Sequence, residues 1–169
     1  VAVNSAGTRV YVVNGNGDSV SVINTATSAV TATIAVGDGP AGVAVNPAGT
    51  RVYVANSEDG TASVIRTSTN TVIATIPVGA KVRDVKVSNG GTRLFVTGSV
   101  EGSGDDLTTI STATNTVSGS VSLSGQVLSL AVSPQGGRVF VGTQIDWLEV
   151  VDTVTNTVTH VDSNAGQLT

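Results

Sequence analysis

One phrase recurs four times at near-constant spacing, opening at Val1, Val43, Val85 and Leu130, and it limits what the chain can fold into more than any single residue does. "VAVNSAGTRVYVVN" returns as "VAVNPAGTRVYVAN", then as "VKVSNGGTRLFVTG" and "LAVSPQGGRVFVGT", at offsets of 42, 42 and 45 residues. A second phrase follows each, such as "TASVIRTSTNTVIATIPVG". A repeat of this period describes scaffold, so function has to be sought where the copies depart from one another.

Composition says what the scaffold is made of. Val and Thr dominate, Gly stands at 20 of 169 residues, and Met and Cys are absent. β-Branched side chains favour pleated, half-buried surfaces over helices, so the chain reads as all-β. A single domain of this length buries about 70% of its unfolded surface, which leaves ample core. Lys plus Arg number 8 against 12 Asp plus Glu, a net charge of −4 with no run of one sign. Counterion release needs clustered cations, so no nucleic-acid partner is expected. The lack of Cys removes disulfides, thiolate chemistry and most zinc sites, and leaves the compartment open. No stretch approaches the roughly 20 continuous apolar residues of a membrane-spanning helix. Val1 already lies inside a repeat with no Met and no basic-then-apolar leader, and a processed or excised piece is the expectation.

The second repeat shows the pattern most cleanly. Its apolar runs are too short for helices and are punctuated by turn residues, which predicts strand a over Val43 to Asn46, b over Arg51 to Asn56, c over Thr61 to Thr67 and d over Thr71 to Val78. Between a and b, Asn46-Pro47-Ala48-Gly49 is a turn with Gly free to take positive φ, and Gly7, Gly91 and Gly136 are its equivalents. Between c and d, Thr67-Ser68-Thr69-Asn70-Thr71 recurs at Thr112 to Thr116 and Thr153 to Thr157, with an Asn able to visit the left-handed region. Arg9, Arg51, Arg93 and Arg138 open every strand b. Four copies of one Arg argue for a structural pair or a solvated edge rather than a ligand contact.

Four antiparallel strands per unit of about 42 residues is the arrangement of a propeller blade. The runs "VYVVN" and "VYVAN" with "SVIRTSTNTVIATIPVG" resemble the YVTN family of β-propeller repeats along the entire chain. The resemblance implies one propeller or partial propeller over residues 1–169, with four blades at about 1–42, 43–84, 85–129 and 130–169. It also implies an extracytoplasmic, secreted or cell-surface location, since that family includes surface-layer proteins and binding propellers. Complete propellers of this kind carry about seven blades, and an open arc of four would expose an apolar blade face at each end. A closed four-blade ring, two arcs joined as a twofold dimer of eight blades, or missing blades on another chain would each cover those faces. Association with a second copy is the expectation.

Antiparallel alternation puts the near-identical a–b and c–d turns on one rim and the variable b–c and d–a loops on the other, where function is expected. The d–a loops reach the mouth of the central channel. There Asp38-Gly39-Pro40-Ala41-Gly42 aligns with Ala80-Lys81-Val82-Arg83-Asp84 and with Gly125-Gln126-Val127-Leu128-Ser129. Repeat three alone adds Lys86, where the others hold Ala2, Ala44 and Ala131. Lysine on an inner apolar strand is costly unless paired or wet. Asp38, Lys81, Arg83, Asp84, Lys86 and Gln126 are therefore the candidate ligand site, for a small anion or carboxylate. The alternative is a plain ion pair of Lys86 or Arg83 with Asp84 or with an acid of a neighbouring blade.

Glu101, Asp105 and Asp106 in the long b–c loop of repeat three are hard oxygen ligands among Gly and Ser, and Asn14, Asn16 and Asp18 alternate like half of a calcium loop. Neither set completes a known loop, so no metal and no cofactor is expected. Trp147, the lone Trp, opens strand c of repeat four beside this rim, as a contact anchor or a loop cover. His160, the lone His, falls in an outermost strand d, which leaves a Ser-His-Asp site without a base near the channel. The leading reading is a non-enzymatic module that binds protein or carbohydrate or builds a surface layer. Lactonases and cofactor-assisted oxidoreductases among similar propellers supply the enzyme alternative, with chemistry at the channel mouth.

Overall fold

The computed structural model describes residues 1–79, 81–99, 104–145 and 147–162. Sixteen strands form four antiparallel four-stranded sheets, each made of four consecutive strands. The first holds β1 (Ala2–Val3), β2 (Arg9–Asn14), β3 (Ser19–Asn24) and β4 (Ala29–Ala35). The second holds β5 (Pro40–Val45), β6 (Arg51–Asn56), β7 (Thr61–Arg66) and β8 (Thr71–Pro77). The third is β9 (Val82–Val87), β10 (Arg93–Ser99), β11 (Asp105–Ser111) and β12 (Thr116–Ser122). The fourth is β13 (Val127–Val132), β14 (Arg138–Thr143), β15 (Trp147–Asp152) and β16 (Thr157–Asp162). One 3-10 turn at Gly15–Gly17 is the single helical element among the described residues.

These are propeller blades, and the period-2 alternation within each strand explains how they stack. In β6, Val52 and Val54 face the first sheet while Tyr53 and Ala55 face the third. Three cores result, one per sheet boundary. Tyr11, Val20 and Val22 meet Val43, Val52, Val54 and Ile65. Tyr53, Ala62 and Val64 meet Val85, Leu94, Val96 and Ile110. Phe95, Leu107 and Leu123 meet Leu130, Val139, Val141 and Val151. Among the described residues no strand of the first sheet packs on the fourth as neighbouring sheets do, so the four blades form an open arc and not a closed four-blade ring.

The repeated turns have the expected shapes. Gly7, Gly49, Gly91 and Gly136 sit at φ between +67° and +69° in the a–b turns. Asn70, Asn115 and Asn156 sit at φ of +52°, +55° and +54° in the c–d turns, and the first repeat puts Ser28 there at +55°. Asn tolerates this region because its short amide bonds locally, whereas Ser pays more of a left-handed penalty of about 1 kcal/mol. Ser28→Asn is therefore expected to raise the melting temperature by about 2 °C, readable by calorimetry. An unchanged or lowered melting temperature would show that Ser28 is held there without strain.

The recurrent Arg, expected as a structural pair or a solvated edge, makes a structural pair at Arg9 and Arg93. Arg9 Nη1 donates to the Thr67 carbonyl at 3.1 Å, and Arg93 Nη1 donates to the Thr153 carbonyl at 3.2 Å. In both cases the Arg of one sheet clasps the c–d turn of the next.

One difference from the sequence reading bears on function. The inner strands begin earlier than the repeat phrase suggests, at Pro40 rather than Val43 in the second sheet, and at Val82 and Val127 in the next two. Each gains its extra length through a β-bulge. Pro40 pairs with Asn56 and Gly42 with Ala55, which leaves Ala41 as the extra residue; Arg83 and Leu128 occupy the same place in β9 and β13. A turn-rich composition hid this, because a bulge interrupts the alternation that marks a strand.

Candidate functional site

The bulge builds the site. It breaks the in-and-out alternation of β9 at Arg83, so Val82 and Val85 stay buried while Arg83, Asp84 and Lys86 all remain partly open to solvent. Lys86 stands opposite Phe95, where the equivalent Ala2 and Ala44 pack against the cores between sheets. Its stem therefore starts beside apolar surface and carries the ammonium outward. The ammonium is paired: Lys86 Nζ lies 2.9 Å from Asp84 Oδ2, with the two side chains 42% and 37% exposed. Asp84 Oδ1 accepts from the Val85 backbone N–H at 2.8 Å, so this carboxylate is held on both oxygens.

Arg83 turns the other way, toward the fourth sheet. Turning the Gln126 amide over satisfies both of its ends: the oxygen then accepts from both terminal guanidinium nitrogens, Nη2 at 2.9 Å, and the nitrogen donates to Gln144 Oε1 at 3.1 Å. The Gln144 backbone N–H closes the loop on the Gln126 carbonyl at 3.0 Å. Arg83, Gln126 and Gln144 thus tie the entrance of β9 to the d–a and b–c loops of the next blade. Lys81 is exposed and adopts φ of +46°, where the second repeat has Gly39 at +61°, and its carbonyl accepts from Ser99 N–H at 3.3 Å.

Asp38 stands apart from this group. It lies in the preceding d–a loop, its backbone N–H bound to Asp59 Oδ2 at 2.9 Å and its carbonyl accepting from Glu58 N–H. The structure thus brings together Arg83, Asp84, Lys86 and Gln126, with Lys81 in the loop ahead of them, and leaves Asp38 one blade away.

Gly42 escaped the sequence reading. A Cβ there would sit 3.0 Å from Asp84 Cα and 3.1 Å from the Arg83 carbonyl oxygen, so its missing side chain lets β5 run against β9. The signal was present in the alignment of Gly42 with Asp84 and Ser129, a glycine inside a strand where close backbone approach is the usual reason.

The calcium reading meets structural uses for its residues. Asp105 opens β11, is buried, and accepts from Val127 N–H with Oδ2 at 2.7 Å. Asn14 donates to Ser19 Oγ and Ser21 Oγ, and Asp18 Oδ1 accepts from Gly39 N–H. Glu101 lies outside the described residues. Trp147 opens β15 as expected, with its side chain outside the description.

A second constellation was also missed. His160 is on the outermost strand β16, yet its Nε2 lies 2.6 Å from Ser124 Oγ and 3.5 Å from Glu149 Oε1. Glu149 is fully buried and accepts from Ser124 backbone N–H at 2.8 Å. A serine, a histidine and an acid together invite a hydrolase reading, but the geometry is different. Glu149 approaches Nε2, the nitrogen that faces Ser124, whereas a general base must be oriented through the opposite nitrogen. The trio anchors the third d–a loop onto the fourth blade. Cross-strand pairing of Glu149 with His160 could have been read from the repeat; the approach of Ser124 from another sheet could not.

With blades, bulges and rim in place, the chain can be compared with known proteins. A family model described as YNCE-like beta-propeller matches residues 1–109. The chain belongs to that family. Hydrazine synthase from Kuenenia stuttgartiensis is similar in structure, with a TM-score of 0.84 and 24% identity over 95% of this chain and 48% of that one. At that identity the likeness concerns the fold, and the chain spans about half the length of that protein. No curated protein matches the sequence. The finer YVTN resemblance rests on the repeat residues alone.

Proposed function

We propose that this YNCE-like propeller is a non-enzymatic binding module, working outside the cytoplasm or at the cell surface. Its b–c and d–a rim takes a carboxylate-bearing carbohydrate or protein segment at the channel mouth. The observation that carries this reading is the bulge on β9, which gathers Arg83, Asp84 and Lys86 at one strand entrance, with Lys81 just ahead. Three cations against one acid leave positive charge at this spot in a chain of net charge −4. An incoming carboxylate can take the bidentate face of Arg83 in exchange for the Gln126 amide, which is neutral and a weaker partner. The Lys86–Asp84 pair is half exposed and contributes little to stability, so its disruption is cheap for the fold.

Titration calorimetry with tetragalacturonate as the acidic probe and cellotetraose as the neutral one tests the reading. Binding of the acidic probe alone is expected, weakened about tenfold or more in Arg83→Ala and Lys86→Ala at unchanged melting temperature. Unaltered binding by Arg83→Ala would remove the site. Turnover of a γ-lactone that is lost in Asp84→Asn would replace the binding module with the enzyme reading.

A further inference from the structure

The boundary between the third and fourth sheets departs from the two before it. In the first sheet Val22 stands opposite Ala32, in the second Val64 stands opposite Ala74, and both pairs pack into the core against the following sheet. The third sheet has Thr109 opposite Gly119 at this place, and the residue bulged out beside the pair is Ser118, where the second sheet has Ile73. Three apolar side chains of the second sheet thus give way to two hydroxyls and a missing Cβ. A Cβ on Gly119 would lie 2.7 Å from the Asn156 side-chain nitrogen, so its absence admits the amide of the next c–d turn.

The result is a cleft of about 500 Å³, lined by the hydroxyls of Thr92, Thr109, Ser111, Ser118 and Thr153 together with Arg93 and Asn156. Small-molecule sites run to about 300–1,000 Å³. No Asp or Glu lines the cleft among the described residues, and Val154 is the single apolar side chain on its wall. Thr109 is 6% exposed, and its hydroxyl bonds to no described residue. A hydroxyl buried without an internal partner is a cost that the valine of the other two boundaries avoids. Arg93 clasps Thr153 through Nη1, with the carbonyl at 3.2 Å and Oγ1 at 2.5 Å, and it pairs with no acid among the described residues. A guanidinium carries five donors in a fixed fork, so this clasp leaves Nη2 and Nε available to the cleft. Arg9 makes the same clasp at the first boundary, but there the strands beneath carry Val22 and Ala32.

We propose that this cleft is a second binding site, for a small polyhydroxylated carboxylate of hexuronate size. Arg93 takes the carboxylate, since it is the one charged group on the wall and meets no competing acid there. The row of hydroxyls and the Asn156 amide both donate and accept, which matches the hydroxyls of a sugar ring. The site lies on the rim of the a–b and c–d turns, and neither Arg83 nor Lys86 lines it. It therefore goes beyond the binding reading of the channel mouth and does not rest on it.

The test is a titration of isotope-labelled protein with D-galacturonate, D-galactose and inorganic sulfate, read by NMR at the backbone amides of Thr92, Ser111 and Asn156. Galacturonate is expected to shift these amides at millimolar concentration, with galactose and sulfate each weaker by about tenfold or more, because each offers half of the recognised chemistry. Thr109→Val combined with Gly119→Ala installs the pair that the first two sheets use. Only the free end of the exposed Asn156 side chain has to move, so this variant should keep its melting temperature and lose the shifts. Ser118→Ile, the residue of the second sheet, is an independent way to close the cleft and should lose them too. Arg93→Lys keeps the charge without the fork and should weaken galacturonate about tenfold. Shifts that persist in both closed variants, shifts confined to the rim around Arg83, or no shifts at all would each overturn the site.

Discussion

Phe95→Ala is expected to destabilise the protein by about 3–5 kcal/mol, the usual cost of removing a fully buried aromatic. Phe95 is 0% exposed and is the largest side chain in the core between the third and fourth sheets, among Leu107, Leu123, Leu130, Val139, Val141 and Val151. β10 holds it in a strand paired on both sides, so neighbouring backbone has little freedom to collapse into the space. Chemical denaturation should show the loss as a lower midpoint, and hydrogen exchange should show β13 to β16 opening before the rest, because this core is what joins the fourth sheet to the arc. The same truncation at Phe140, which is only partly covered, is expected to cost less. Equal, small effects at both positions would contradict the core assignment.

The repeat made the architecture legible because it is written redundantly. Every b strand, every Asn or Ser in the c–d turn, and every Gly in the a–b turn appears four times over, so chance variation at one copy is corrected by the others. The bulges are the counter-case. Arg83 was read as a loop residue because Lys81-Val82-Arg83-Asp84 has no alternation, and the interruption that concealed the strand is the one that opens Arg83, Asp84 and Lys86 to solvent together. Charge alone did reveal that something unusual happens in repeat three. The ion pair of Lys86 with Asp84, two residues back on its own strand, was the alternative the sequence offered; that Arg83 would reach across to Gln126 it could not reveal. That crossing depends on the distance between adjacent blades, as does Gly42, whose absent side chain sets how closely β5 and β9 approach. Asp38 was grouped with these by its place in the repeat, yet place in a repeat fixes height along the blade and not angular position around the arc.

Glu149→Ala is the second substitution expected to have a large effect, about 1–3 kcal/mol, through a different cause: it removes the acceptor that holds the Ser124 N–H and the acid beside His160. Glu149 is fully buried between the third and fourth sheets, and its Oε1 accepts from Ser124 N–H at 2.8 Å. Without it that N–H loses its acceptor, although Ser124 is itself exposed to water, and His160 loses an acid 3.5 Å from its Nε2. Glu149→Gln keeps the shape and an acceptor oxygen, so it should recover most of the loss. His160→Ala should cost less than about 1 kcal/mol, since the ring is about half exposed and its bond to Ser124 competes with water. The expected order of stability is therefore wild type, His160→Ala, Glu149→Gln, Glu149→Ala, measured by urea denaturation at one pH. That order assigns the trio to holding a loop. If His160→Ala instead matched Glu149→Ala in stability, the histidine would be the centre of the anchor; if Ser124→Ala abolished an ester or lactone hydrolysis while leaving stability alone, the trio would be chemistry and not scaffold.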